Sequence, residues 1–438
     1  MLQNGITNLA SLLDNVMVGQ LGTESMSGVA IANQLLNVFY VSLFGVVSGA
    51  SIFGAQFVGQ KNIKGLQDTF RFRLLMGFLL VDVFIIVFLL ADNPLISLFL
   101  TDNGTGNIAL ALSEGEEYLR IMLGGMIPYV IIQIYASTHR DMGRTVVAMA
   151  AGFVSVGVNL CLNYLLIFGN FGFPELGVKG AAIGTVSARL VEMVIVVLWT
   201  HTHKKVYVFA QGLYRTLKVP FILAKQILKK GIPLFLNEFL WSSGMAVLAQ
   251  SYSLRGLDVV AAYNISSTVT NLFSVALIAL GSAIGIIVGQ KLGAGEIEEA
   301  VDTDRKLIAF SVAICMVIGA VLFFLAPVFP GFYNTDGSVK ELATGFLRIA
   351  AVFIPVHAFY NATYFTLRSG GKTFITFLFD ACSLWCVSVV CATLLVHFTA
   401  LPALCIYLII SCIDILKLIA GLILVNKRVW VNNMVENI

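Results

Sequence analysis

The chain has 438 residues, of which 58% are hydrophobic and only 12% charged, with a mean hydropathy of +0.91; soluble domains carry roughly a quarter charged residues. Lipid is therefore the expected solvent, and a formal net charge of +3 leaves no basic excess of the kind that binds nucleic acid.

About 20 consecutive apolar residues cross a bilayer. Such stretches predict twelve helical spans at residues 1–21, 28–58, 70–92, 117–138, 145–169, 178–200, 232–254, 258–289, 307–329, 345–367, 373–397 and 401–425. Helices satisfy their own backbone inside lipid, and the segments lack the period-2 alternation of a membrane barrel. The seven cysteines, Cys161, Cys315, Cys382, Cys386, Cys391, Cys405 and Cys412, all fall within spans, without Cys-x-x-Cys or metal-ligand spacing. They are expected to be small buried hydrophobes. No nucleophile-with-base arrangement or phosphate loop points to an enzyme.

The connections alternate in charge. Those on one side, with the C-terminus, hold 20 of the 27 Lys and Arg residues, seven of them between Lys204 and Lys230. The other side holds Arg120, Lys179, Arg255, Lys340 and Arg348 among acids such as Asp102, Glu114, Glu116, Glu117 and Asp336. Basic loops face the cytoplasm, so both termini are expected there, in a plasma-membrane protein with an even number of spans.

Compared with itself at an offset of about 230 residues, the chain repeats. Thr138-His-Arg-Asp-Met-Gly-Arg-Thr145 answers Thr366-Leu-Arg-Ser-Gly-Gly-Lys-Thr373. Ser48-Gly-Ala50 and Gly59-Gln-Lys61 answer Gly281-Ser-Ala283 and Gly289-Gln-Lys291, and Leu2-Gln-Asn4 answers Leu236-Asn-Glu238. Six spans separate corresponding points, which predicts an all-α membrane protein of two six-helix lobes related by an axis along the membrane normal. The N-lobe would be residues 1–201, the C-lobe 232–438, and 202–231 a basic cytoplasmic linker. The repeat also predicts a counterpart of Pro233 just before Met1, so the first span is expected to lack its start.

An ionisable group at mid-bilayer costs at least about 2.5–3.5 kcal/mol and so calls for a partner or a role. Arg189 with Glu192, and Asp414 with Lys417, are spaced i, i+3 and are expected to pair. Asp82 is expected to pair with another helix. Asp14 and Glu238, in the first span of each half, and Asp380 in the eleventh have no basic residue at i±3 or i±4. Low dielectric penalises the charge of a lone carboxylate, which suits each to exchanging a proton or cation, or to fixing packing through hydrogen bonds. His357 follows Pro355, where a bend is expected, and is a further candidate for titration. Asn159 and Asn163, one turn apart, with Thr185 and Asp14, offer hard oxygens for a sodium ion or a hydrogen-bonded proton site. Phe39, Tyr40, Met245 and Tyr263 could supply apolar and cation–π contacts to a bound cation.

Several of these segments, in order, resemble the multidrug and toxic compound extrusion family: Asp14-Asn-Val-Met-Val-Gly-Gln-Leu-Gly22, Gly59-Gln-Lys61, His139-Arg-Asp-Met-Gly-Arg-Thr145, Asn159-Leu-Cys-Leu-Asn-Tyr-Leu-Leu-Ile-Phe-Gly169, Pro233-Leu-Phe-Leu-Asn-Glu238 and Leu367-Arg-Ser-Gly-Gly-Lys-Thr373. The resemblance implies a twelve-helix, two-lobed, monomeric exporter of organic cations and aromatic drugs, driven by sodium ions or protons and needing no cofactor. By motif position, Asp14 looks like the family's first-helix coupling aspartate, Asn159 and Thr185 like its partners, and Glu238 like the seventh-helix glutamate of the NorM-like branch. The chain departs from the pattern at Asn163, where other members carry a second aspartate. It departs again before Leu367, where His357 and Ala358 stand near the place of a tenth-helix aspartate that Asp380 could replace in part. A lipid-linked saccharide flippase is the nearest alternative; its cavity should be basic, whereas the unpaired intramembrane charges here are mostly acidic.

Overall fold

The computed structural model describes residues 14, 17–97, 108–333 and 335–436. Most of the predicted first span lies outside them. The described helices are α1 (Thr23–Gly59), α2 (Ile63–Ser97), α3 (Ile108–Leu123), α4 (Met126–Asp141), α5 (Val146–Leu166) and α6 (Val178–Thr202). They continue with α7 (Phe221–Ser253), α8 (Leu257–Gly293), α9 (Ile297–Leu325), α10 (Gly337–Ser369), α11 (Thr373–Phe398) and α12 (Ala403–Asn426). Ten are long and apolar enough to cross a membrane singly, and α3 with α4, meeting at a 50° bend, pass the same test only together. The bend falls at Gly124 and Gly125, just before Pro128, and divides the helix predicted over 117–138. No strand occurs among the described residues.

Local chemistry sets several boundaries. Asn62 caps α2, its Oδ1 accepting the Gly65 N–H at 2.9 Å. Pro94 removes a helix hydrogen bond and clashes one turn back, and α2 is kinked at Ala91 (φ −135°, ψ 19°). α10, by contrast, continues as one helix through Pro355. α7 begins eleven residues before the predicted 232, so the end of the basic loop is already helical.

The chain forms two compact units. One comprises Leu2–Gly54 and Asn62–Lys225, the other Ala55–Lys61 and Gln226–Ile438, with Met1. In the first, α6 packs against α3, α4 and α5, and α2 against α3 and α4. The segment expected to be a linker is strapped onto this unit as far as Lys225. Gln67 Nε2 donates to the carbonyls of Phe209 (2.9 Å) and Gln211 (2.8 Å), Arg71 donates twice to the Leu213 carbonyl, and the Tyr135 and Tyr214 hydroxyls lie 2.6 Å apart. In the second unit α10 is the hub, touching α8, α9 and α12, with Phe346, Leu347 and Ala362 at or near zero exposure.

The repeat is legible in the helix ends, with one change of register. α1 and α8 share an offset of 234 residues at both ends, and so do the starts of α2 and α9. Gln56-x-x-Gly59 therefore answers Gln290-x-x-Gly293, not Gly59-Gln-Lys61 with Gly289-Gln-Lys291. The contact is reciprocal: a Cβ on Gly59 would lie 1.8 Å from the Gln290 carbonyl oxygen, and one on Gly293 2.0 Å from that of Gln56. Only glycine allows backbones so close. The Thr138/Thr366 match stands, since α4 ends at Asp141 and α10 at Ser369, the same place in the motif.

Two expectations about side chains are corrected. Asp82 does not face another helix but stands exposed on α2 beside Leu79, Val83 and Ile86. Of the seven cysteines, all free, only Cys315 is buried; Cys161, Cys386, Cys405 and Cys412 are exposed, and Cys382 and Cys391 are half-buried.

The first unit also buries an ion pair. Arg73 on α2 reaches Asp141 on α4 at 2.5 Å and Thr138 at 2.7 Å, with the two side chains 0% and 1% exposed. Removing one partner of such a pair strands a charge and costs about 3–5 kcal/mol, whereas replacing both by apolar groups is often near neutral. Arg73→Met should therefore lower the thermal midpoint in detergent markedly, and Arg73→Met/Asp141→Leu should recover most of the loss.

Candidate functional site

The first unit gathers its four candidate oxygen ligands into one hydrogen-bonded chain. Asn159 and Asn163 stand one turn apart on α5, and both face α6, its closest neighbour, so they are buried. Asn163 Nδ2 donates to Asp14 Oδ1 at 2.5 Å and lies 3.4 Å from Asn159 Oδ1; Asn159 Nδ2 donates to Thr185 Oγ1 on α6 at 3.2 Å. Asn163 Oδ1 is buried with no hydrogen-bond partner, and the missing side chain of Gly184 makes room for it, since a Cβ there would lie 2.3 Å away. This oxygen is an unused acceptor next to the Asp14 carboxylate, the kind of group that a proton donor or a hard cation would satisfy.

Arg189 lies one turn beyond Thr185 on α6. Its guanidinium does not pair with Glu192 as the i, i+3 spacing suggested. Nη2 donates to the Tyr40 hydroxyl at 2.7 Å, and the cation sits 5.4 Å and 4.9 Å from the ring centroids of Tyr40 and Tyr129. It also acts electrostatically on Asp14. Tyr40, a candidate substrate contact, is thus engaged by an internal cation, while Phe39 is wholly buried, its ring packed edge-on to Phe84 at 5.4 Å.

In the second unit Glu238, Asp380 and Asp414 stand with His357 and Lys417 as partners or electrostatic neighbours, and Arg368 on α10 acts on Glu238. Asn237 and Glu238 adjoin on α7. Asn237 Nδ2 donates to Asp380 Oδ2 at 3.0 Å, and its Oδ1 accepts the Ala381 N–H at 3.2 Å. The helix carrying Asp380 is wound as π turns over Leu378–Cys382 and Leu384–Val389, a departure that often marks functional sites. Glu238 accepts the Tyr364 hydroxyl from α10 at 3.0 Å and feels the charge of Asp380.

On α12, Asp414 pairs with Lys417 at 3.4 Å, as its spacing predicted, and also meets His357 Nε2 at 3.2 Å. His357 is therefore a hydrogen-bond partner of Asp414 rather than an isolated group. Lys417 rests 5.2 Å from the Tyr360 ring centroid. Met245 packs against the apolar core of this unit, and Tyr263 joins Tyr252, Phe346 and Tyr407 in a ring cluster with centroids 5.0–6.5 Å apart.

Sequence reasoning missed Asn237, Tyr364 and the tie between His357 and Asp414. Asn237 carried a signal, as the neighbour of Glu238 within the Pro233–Glu238 motif. Tyr364 and the tie of His357 to Asp414 carried none, because the partners lie over fifty residues apart in sequence. Among the described residues no three His, Cys, Asp or Glu side chains group as a metal site.

Comparison with known proteins supplies the frame. The MatE family profile matches residues 1–165 and 233–394. "Probable multidrug resistance protein NorM" of Thermotoga maritima is 26% identical over 92% of this chain and 84% of its own length. The protein of that name from Oceanobacillus iheyensis is 27% identical over 90% and 87%. The fold matches a solved structure of an outward-facing multidrug resistance MATE family transporter of the MOP superfamily, with a TM-score of 0.87 and 22% identity over 98% of this chain and 93% of that one. It also matches a MOP superfamily transporter from Pyrococcus furiosus described by the reverse polarity of its binding pocket, with a TM-score of 0.85, 22% identity and the same coverage.

Asn237 holds Asp380 and a π-turn amide at once, so Asn237→Ala should destabilise the second unit by about 1–3 kcal/mol, the cost of stranding buried polar groups. Asn237→Asp keeps the acceptor but sets a second charge against Asp380, and should be worse. Thermal unfolding of both variants in detergent checks the order.

Proposed function

Because the chain belongs to the MatE family, we propose that it is a secondary transporter in the plasma membrane that exports organic cations and aromatic drugs by antiport with sodium ions or protons. The observation that carries the proposal is the way the buried carboxylates are held. Asp14, Asp380 and Glu238 are each bonded by a neutral amide or hydroxyl and not by a fixed cation, which leaves their charge to be neutralised by a transient one. An incoming cation and a coupling ion compete for that charge, and mutually exclusive occupancy ties the two movements together.

Asp14 with Asn163, Asn159 and Thr185 forms the coupling site of the first unit, and Asn163 Oδ1 is its spare acceptor. Asp380 and Glu238 serve the second unit, with His357 acting through Asp414. Loose apolar contacts come from Tyr40, Tyr263 and Met245, and Phe39 supports Tyr40. The protein works as a monomer with both termini in the cytoplasm. A lipid-linked saccharide flippase is not favoured, because a pyrophosphate needs a basic site and these clusters are acidic in balance.

Efflux of ethidium from cells expressing the chain, under imposed sodium or proton gradients, tests the reading. Gradient-driven efflux is expected, and Asp14→Asn or Glu238→Gln should reduce it at least tenfold at equal membrane abundance. A folded, inserted chain that moves no cation under either gradient would sink the proposal.

A further inference from the structure

The charges of the second unit are not equivalent. Asp380 and Glu238 are held by neutral donors, whereas Asp414 has a fixed ammonium on one oxygen and an imidazole on the other. That ammonium belongs to Lys417, 8% exposed at its side chain, on α12, a helix that is otherwise uncharged apart from Asp414. Its reach extends past Asp414: it acts electrostatically on Asp380 and lies over Tyr360 at 5.2 Å. A carboxylate together with an aromatic face is what an organic cation needs. Lys417 thus already occupies the kind of surroundings that such a ligand would seek.

We propose that Lys417 is a tethered cation that competes with the transported cation for the carboxylates of the second unit. The inference rests on the export reading and deepens it by naming a residue that sets affinity. With Lys417 in place, an arriving organic cation must displace an ammonium or accept its repulsion, so binding is weakened and release favoured. The groups that set the charge balance are Glu238 on α7, His357 and Arg368 on α10, Asp380 on α11, and Asp414 and Lys417 on α12. An attached competitor discriminates by charge: a neutral aromatic ligand gains nothing from its removal, whereas a cation does.

The test is equilibrium binding of ethidium to the purified full-length chain in detergent at fixed pH and ionic strength. Lys417→Met should tighten the Kd at least tenfold, about 1.4 kcal/mol, and Lys417→Arg should leave it near the original. Asp414→Asn frees the ammonium to turn on the ligand, and should weaken binding at least fivefold. Lys417→Met/Asp414→Asn, which restores the charge balance, should return near the original value. Opposite shifts for the two single variants are the signature, because a purely structural ion pair would respond in the same direction to the loss of either partner. A folded Lys417→Met that binds no tighter than the original overturns the proposal, and if that variant does not fold, an Asp414→Asn chain that binds as well as the original does the same. If the original binds no ethidium but Lys417→Met does, the tethered cation stands and the export of such cations by the original chain falls; if neither binds, both fall.

Discussion

Charge taken out of water must be compensated within a few ångströms, and this constraint arranges the rest of the molecule. Bringing an ionised side chain to mid-bilayer costs several kcal/mol unless something answers it, and the chain answers in two ways. It buries matched charges against each other, as in Arg73 with Asp141. Elsewhere it leaves the buried carboxylate with neutral hydrogen-bond partners, as at Asp14, Asp380 and Glu238.

The two units meet the constraint with different parts. In the first, Arg189 acts on Asp14 and is turned onto the rings of Tyr40 and Tyr129. In the second, Lys417 acts on Asp380, is paired to Asp414 and is set against Tyr360. Each unit therefore joins a buried carboxylate, an aromatic face and an internal cation, although the residues do not coincide in the repeat. The helix ends do coincide, and the reciprocal approach of Gly59 to Gln290 and of Gly293 to Gln56 shows that the duplication is kept at the level of backbone contact.

Much of this was legible in the sequence, for physical reasons. Hydrophobic length gives the spans because the bilayer thickness is fixed, and loop motifs give the repeat because apolar bias cannot imitate Arg-x-x-Gly. The register of Gln56 and Gly59 was not legible. A Gly-Gln-Lys string matched better in letters, whereas the structure follows the glycine that lets two backbones touch. Pairing was legible only within a helix, and only in part. Asp414 with Lys417 followed its spacing, but Arg189 preferred two tyrosines to Glu192, because a guanidinium over ring faces stays compensated without bending back along its own helix. His357 with Asp414, and Tyr364 with Glu238, join distant helices that no local pattern connects.

The central claim is that a cation and a coupling ion share the same exchangeable carboxylates. The most direct measurement is counter-movement in proteoliposomes holding the purified chain, with a gradient of ethidium as the sole driving force and pH and sodium followed on both sides. The account predicts that ethidium running down its gradient drives protons or sodium ions uphill in the opposite direction. Ethidium flux with no movement of either ion would contradict it.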